Sequence, residues 1–163
     1  FGWRCPRSAH RTRARSGGAL VAGDAGLIVV SAVVLRDEAG RILTVRKRGT
    51  DRFMLPGGKP EPGETPLETA VREVGEELQI TLNPDDLALI GVVRAAAANE
   101  AGFQVEGTTY RALSPVVADD LAAAAEIEEI RWLDVTVEPL PDDLAPMLVE
   151  QVLPMLLHMG AEG

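Results

Sequence analysis

Glu73, Glu76 and Glu77 are the residues whose type and spacing could do chemistry together. At i, i+3 and i+4 they project from one side of a helix, while Leu67, Ala70, Val71, Val74 and Leu78 fall on a separate apolar arc. Acidic faces are often no more than solvated, and an exposed like-charge pair at this spacing costs only about 0.2–0.5 kcal/mol. The loop just before the helix favours a site. Gly57-Gly58 lets backbone approach another group closely, and its carbonyls are hard oxygen ligands. Glu64 and Arg72 offer an ion pair that would fix that loop against the helix. Oxygen donors without His or Cys select Mg2+ or Mn2+, and Mg2+ sites commonly share coordination with substrate phosphates. The chemistry these residues suggest is attack of metal-activated water on a phosphoryl group.

Other catalytic classes lack their residues. One cysteine, Cys5, and two histidines, His10 and His158, lie near the ends of the 163-residue chain. That excludes an internal disulfide and leaves zinc sites and Ser-His-Asp or Cys-His units without ligands or bases. The charge is uneven: residues 1–26 carry +4, residues 27–163 carry −13, and the whole carries −9. A body that acidic repels polyanions, so no nucleic-acid partner is expected, and the arginine-rich head would be the only basic footprint. No apolar run is long enough to span a membrane, and the expected location is cytoplasmic. Residues 1–26 read as a basic, disordered leader, and 27–163 as one domain.

The elements that must position the glutamates follow from pattern. Leu27 to Leu35 is apolar on both faces and reads as a buried central strand, with Asp37 to Gly40 as a turn and Arg41 to Arg48 as its hairpin partner. Leu55 to Gly63 is a rigid loop. Pro66 to Leu78 is a helix with Thr65 as N-cap and Glu68 completing a capping box. Leu87 to Ala97 and Thr108 to Val117 read as strands about a turn at Asn99 to Gly102. Ile127 to Leu133 reads as another strand, and Pro141 to Met159 as a helix kinked at Pro154. This order gives an α/β protein with a mixed sheet packed between helices.

The run from Gly58 to Ile80 resembles the Nudix box: Gly, five residues, Glu, seven residues, then Arg-Glu-apolar-any-Glu-Glu-any-Gly-apolar. Gln79, where the pattern has Gly, is the one departure, and Arg46-Lys47-Arg48 and Phe53 to Lys59 resemble the MutT-like branch. The resemblance implies an α/β/α sandwich that hydrolyses a nucleoside diphosphate derivative with Mg2+ or Mn2+. The substrate it suggests first is a nucleoside triphosphate, damaged or non-standard nucleotides included. ADP-ribose, dinucleoside polyphosphates and coenzyme A are its rivals, and a non-catalytic nucleotide-sensing module is the alternative of another class. By likeness of position, Glu73, Glu76 and Glu77 are metal ligands and catalytic carboxylates, and Gly58 adds a carbonyl. Glu126, six residues before Trp132, would join the metal. Arg46 and Lys59 would contact substrate, and Glu64 and Arg72 would support the site. Phe53 could stack on a nucleobase or simply end a strand. Dimers are common in the family, so a homodimer is an expectation, although the sequence shows no interface signal. The box glycine normally supplies a left-handed C-cap, so Gln79 is expected to cost about 1 kcal/mol or more there.

Overall fold

The computed structural model describes residues 26–161; the basic head, with Cys5 and His10, lies outside the described residues except for Gly26. Strand β1 (Leu27–Val34) runs parallel to β6 (Gln104–Ala112) over eight residue pairs, Leu27 opposite Gln104 to Val34 opposite Arg111. β6 pairs antiparallel with β5 (Leu87–Ala96), and the two-residue β4 (Gly57–Gly58) pairs with Ser31 and Ala32 of β1. This mixed sheet has the order β4-β1-β6-β5. A second, antiparallel sheet has the order β3-β2-β7, from β2 (Ile42–Lys47), β3 (Phe53–Met54) and β7 (Ile127–Leu133).

Two apolar clusters fill the space between the sheets and the helices. Helix α1 (Pro66–Leu78) sets Ala70, Val74 and Leu78 against Val33, Leu35, Leu43, Val45 and Ile127. Leu148, Val152, Leu153 and Leu156 of the C-terminal helix pack on Ala32, Val34, Phe53, Val93 and Leu133. β1 feeds both clusters because its side chains alternate between two buried faces, which is why its sequence is apolar on both. The architecture is α/β with mixed sheets and helices on either side, as expected. Trp132 is half-buried against the α1 cluster, with Arg41 over its ring at 5.8 Å.

Several expectations need correction. The Asp37–Gly40 turn is present, with Asp37 Oδ1 accepting from the Arg41 N–H at 2.8 Å, but the flanking strands do not continue as a hairpin. They share one bridge, Arg36 to Ile42, and then diverge into different sheets, because β1 finds a full-length partner in β6 and β2 finds one in β7. Nor is β1 buried throughout: Leu27 and Val29 are exposed. β6 begins four residues earlier than expected and stops at Ala112, ahead of Pro115, which has no N–H to offer a ladder. The last helix is regular only over α2 (Leu153–Gly160) and is preceded by a π-helical segment, Met147–Val152. Pro154 has no N–H for the preceding turn, and the Leu153 N–H reaches back five residues to the Leu148 carbonyl. Residues 141–145 are not helical; Leu144 instead bridges to Phe53.

Candidate active site

Helix α1 begins as its sequence requires. The Thr65 hydroxyl accepts from the Glu68 N–H at 3.2 Å, the Glu68 carboxylate accepts from the Thr65 N–H at 2.8 Å, and Pro66 occupies the first turn. Apolar packing then fixes its rotation and turns the acidic side toward β4 and the end of β2. Glu77 is 1% exposed although it bears a carboxyl group, whereas the Glu76 side chain is 53% exposed.

Gly57 and Gly58 are glycines for steric reasons. Gly57 has φ +153°, and a Cβ there would lie 2.0 Å from the Ser31 carbonyl oxygen. A Cβ on Gly58 would lie 2.5 Å from the Glu73 carboxylate, so Glu73 rests directly on this peptide. The Gly57 N–H donates to Glu77 Oε2 at 3.1 Å, while Glu77 Oε1 is buried without a hydrogen-bond donor. Burial pushes the Glu77 carboxyl up to about 7, with Glu73 adding to the rise while Lys47 and the Gly57 N–H oppose it.

The expected Glu64–Arg72 ion pair is present and bidentate, Nε to Oε1 at 2.5 Å and Nη2 to Oε2 at 3.0 Å. The Glu64 carboxylate also accepts from the Thr69 hydroxyl at 2.8 Å and the Glu61 N–H at 2.9 Å, which pins residues 61–64 to α1. These bonds, Arg72 foremost, hold its carboxyl down at about 2. Arg72 also donates to Glu73 at 3.0 Å, to Glu76 at 3.2 Å and to the Lys59 carbonyl at 3.0 Å, so it reaches both the loop and the acidic face.

Glu73, Gly58, Lys59 and Glu126 all line one cleft of about 510 Å3. Lys47, Arg48, Ile28, Val30, Val105 and Met147 complete much of its lining, whereas Glu76 and Glu77 are not part of it. Glu126 is brought beside Glu77 through Lys47, whose ammonium lies 2.9 Å from Glu126 Oε1 and 3.3 Å from Glu77 Oε1. Arg46 and Phe53 are not brought in. Arg46 points to the opposite face of β2 and pairs with Glu128 at 3.1 Å and Glu129 at 3.0 Å, because adjacent strand residues face opposite ways. Phe53 is buried in the core with the Arg131 guanidinium 3.6 Å from its ring centre. The cleft-facing cation of that strand is Lys47, one residue on; strand alternation allows only one of the two to face the cleft, but pattern alone did not say which. Met147 had no sequence signal, since it reaches the cleft only because its helix crosses Gly107.

The donors suit a hard divalent cation. They are all oxygens, Glu77 Oε1 is buried with no hydrogen bond and only the Lys47 ammonium, at 3.3 Å, as its ion-pair partner, and the Glu73 carboxylate lies against the Gly58 peptide. Among the described residues no three acidic, histidine or cysteine side chains are already gathered as a metal-holding group. Arg72 stands between Glu73 and Glu76, and Lys47 between Glu77 and Glu126.

Comparison with known proteins bears on the family. Residues 27–151 match the model of the NUDIX domain. The chain is 33% identical over 116 residues to a MutT-like protein of Streptomyces ambofaciens, covering 66% of this chain and 75% of that one. It is 39% identical over 62 residues to an RNA pyrophosphohydrolase of Halorhodospira halophila, a match spanning 38% of this chain and only 33% of that protein. In fold it is similar to a MutT protein from Methanosarcina mazei, with a TM-score of 0.61 and 24% identity over 84% of this chain and 95% of that one. A family match that runs from β1 into the π-helical segment shows that this chain belongs to the NUDIX family.

Proposed function

We propose that this chain is a divalent-metal-dependent pyrophosphohydrolase that cleaves a phosphoanhydride bond in a nucleoside triphosphate. The observation that carries the reading is the composition of the cleft: the half-buried Glu73 against Gly58, with the exposed Glu126, the cations Lys47, Arg48 and Lys59, and the aliphatic side chains Ile28, Val30 and Val105 in one lining, next to the buried Glu77. Glu73, Glu77 and the Gly58 carbonyl would hold Mg2+ or Mn2+, with Glu76 and Glu126 completing the set after rotation of their exposed side chains. When bound, such an ion offsets phosphate charge and makes water a stronger acid.

The rest of the work falls to the chain itself. Lys47, Arg48 and Lys59 offer positive charge to a polyphosphate entering an acidic protein. The glutamate cluster supplies the acceptor for the proton of the attacking water. Ile28, Val30, Val105 and Met147 take the nucleoside and exclude water from the reacting end. No aromatic side chain lines the cleft among the described residues, so the base would rest on aliphatic groups and the Met147 thioether.

A panel of nucleoside triphosphates, ADP-ribose and dinucleoside polyphosphates, assayed with Mg2+ or Mn2+ for phosphate and pyrophosphate release, tests the reading. Turnover should be fastest on a triphosphate; preference for ADP-ribose would replace that substrate class. E77Q should lower metal-dependent turnover by about a hundredfold or more with the circular-dichroism spectrum unchanged. Unchanged turnover would remove Glu77 from the site.

A further inference from the structure

Three segments converge on Lys47. The Gly57 carbonyl accepts from its Nζ at 3.3 Å, Glu126 Oε1 lies at 2.9 Å, and Glu77 Oε1 lies at 3.3 Å. Its ammonium thus makes one hydrogen bond, to the Gly57 carbonyl, and two ion pairs, to Glu77 and Glu126. Only 21% of the Lys47 side chain is exposed.

Backbone bonds hold these groups in place. The Ala122 and Ala124 N–H groups donate to the carbonyls of Leu78 and Glu77, capping the free end of α1 with the segment that leads to Glu126. The Arg48 N–H donates to the Glu126 carbonyl at 2.8 Å, tying that segment to the end of β2. Ala125, between them, sits at φ +52°, a left-handed conformation that an alanine adopts only where its surroundings impose it.

We propose that Lys47 is an internal counter-cation: in the metal-free protein it holds Glu77 and Glu126 together, and a divalent ion binds by displacing it. The inference rests on the metal centre proposed above and adds a positioning residue to it. A buried carboxylate with no counter-charge is costly, so without metal the ammonium supplies the compensation. Once a divalent ion sits on Glu77, the same ammonium is repelled and swings toward the open cleft that it already lines. Metal affinity is then lower than the carboxylates alone would give, and metal-free stability is higher.

The test compares wild type, K47M and K47R by thermal unfolding in chelator and by Mn2+ binding followed by electron paramagnetic resonance. K47M should unfold roughly 4–8 °C lower in chelator. It should bind Mn2+ about tenfold more tightly than wild type, because the competing charge is gone. K47R, which keeps the charge, should stay near wild type in both readouts. K47Q replaces K47M if the latter does not fold in chelator. Mn2+ binding in wild type with equal or weaker binding in K47M would overturn the role of Lys47 and leave the metal centre standing. Absence of Mn2+ binding in wild type and K47M alike would overturn both.

Discussion

Single residues in this site owe their identity to contacts at close range. Gly57 is the sharpest case, 2.0 Å from backbone, and Gly58 is the one that bears on a carboxylate, since the atom that any other residue would add falls 2.5 Å from Glu73. G58A should therefore push Glu73 off the peptide and weaken Mn2+ binding by about tenfold or more, as expected when the support of a ligand is disturbed. Titration of Mn2+ by paramagnetic resonance checks this, and an unchanged affinity would show that Glu73 does not need this position. Glu77 carries the opposite signature. It is buried, one oxygen is served by the Gly57 N–H, and the other is left for a cation. The Lys47 ammonium stays above its ordinary range because, although burial acts to lower it, Glu77 and Glu126 outweigh that effect.

At the scale of elements, α1 is the part whose ends and face were all written in local sequence. Its capping box, proline and apolar arc agree with one another, and the helix runs over Pro66–Leu78 as that pattern requires. Its C-terminus departs from the family pattern without changing conformation. Gln79 takes the left-handed values φ +58° and ψ +30° that glycine would take freely, and its side-chain amide donates to the Glu76 carbonyl at 3.2 Å. That bond offsets part of the strain. Q79G should still raise the unfolding free energy by roughly 0.5–1 kcal/mol, a gain of about 1–4 °C in Tm at this size. Scanning calorimetry decides it, and a lower Tm would mean that the Gln79 amide contributes more than the strain costs.

The whole molecule is acidic, so its stability must depend on how its carboxylates are paired. Glu64 is held at about 2 by Arg72, and Asp143 is lowered by its bidentate pairing with Arg131. A carboxyl with a depressed folded pKa contributes stability that is fully present above its unfolded value and is lost as pH falls through the folded one. For Glu64 that window runs from about pH 4.5 down to about 2. E64Q should destabilise the protein at pH 7 and flatten its Tm against pH across that window, measured by thermal unfolding in a pH series. A slope as steep as wild type would show that Glu64 contributes no linkage. Sequence by itself determined helix α1, most strands and the Glu64–Arg72 brace, because caps, periodicity and pairing across one loop are local. It did not determine which strands pair, since β1 and β2 are apolar on both faces and could each have paired with the other. Nor could it say that Lys47 rather than Arg46 faces the cleft, that Phe53 is core, or that Met147 reaches the cleft wall. Those follow from long-range register and from the way the last helix crosses the sheet, which only the tertiary structure decides.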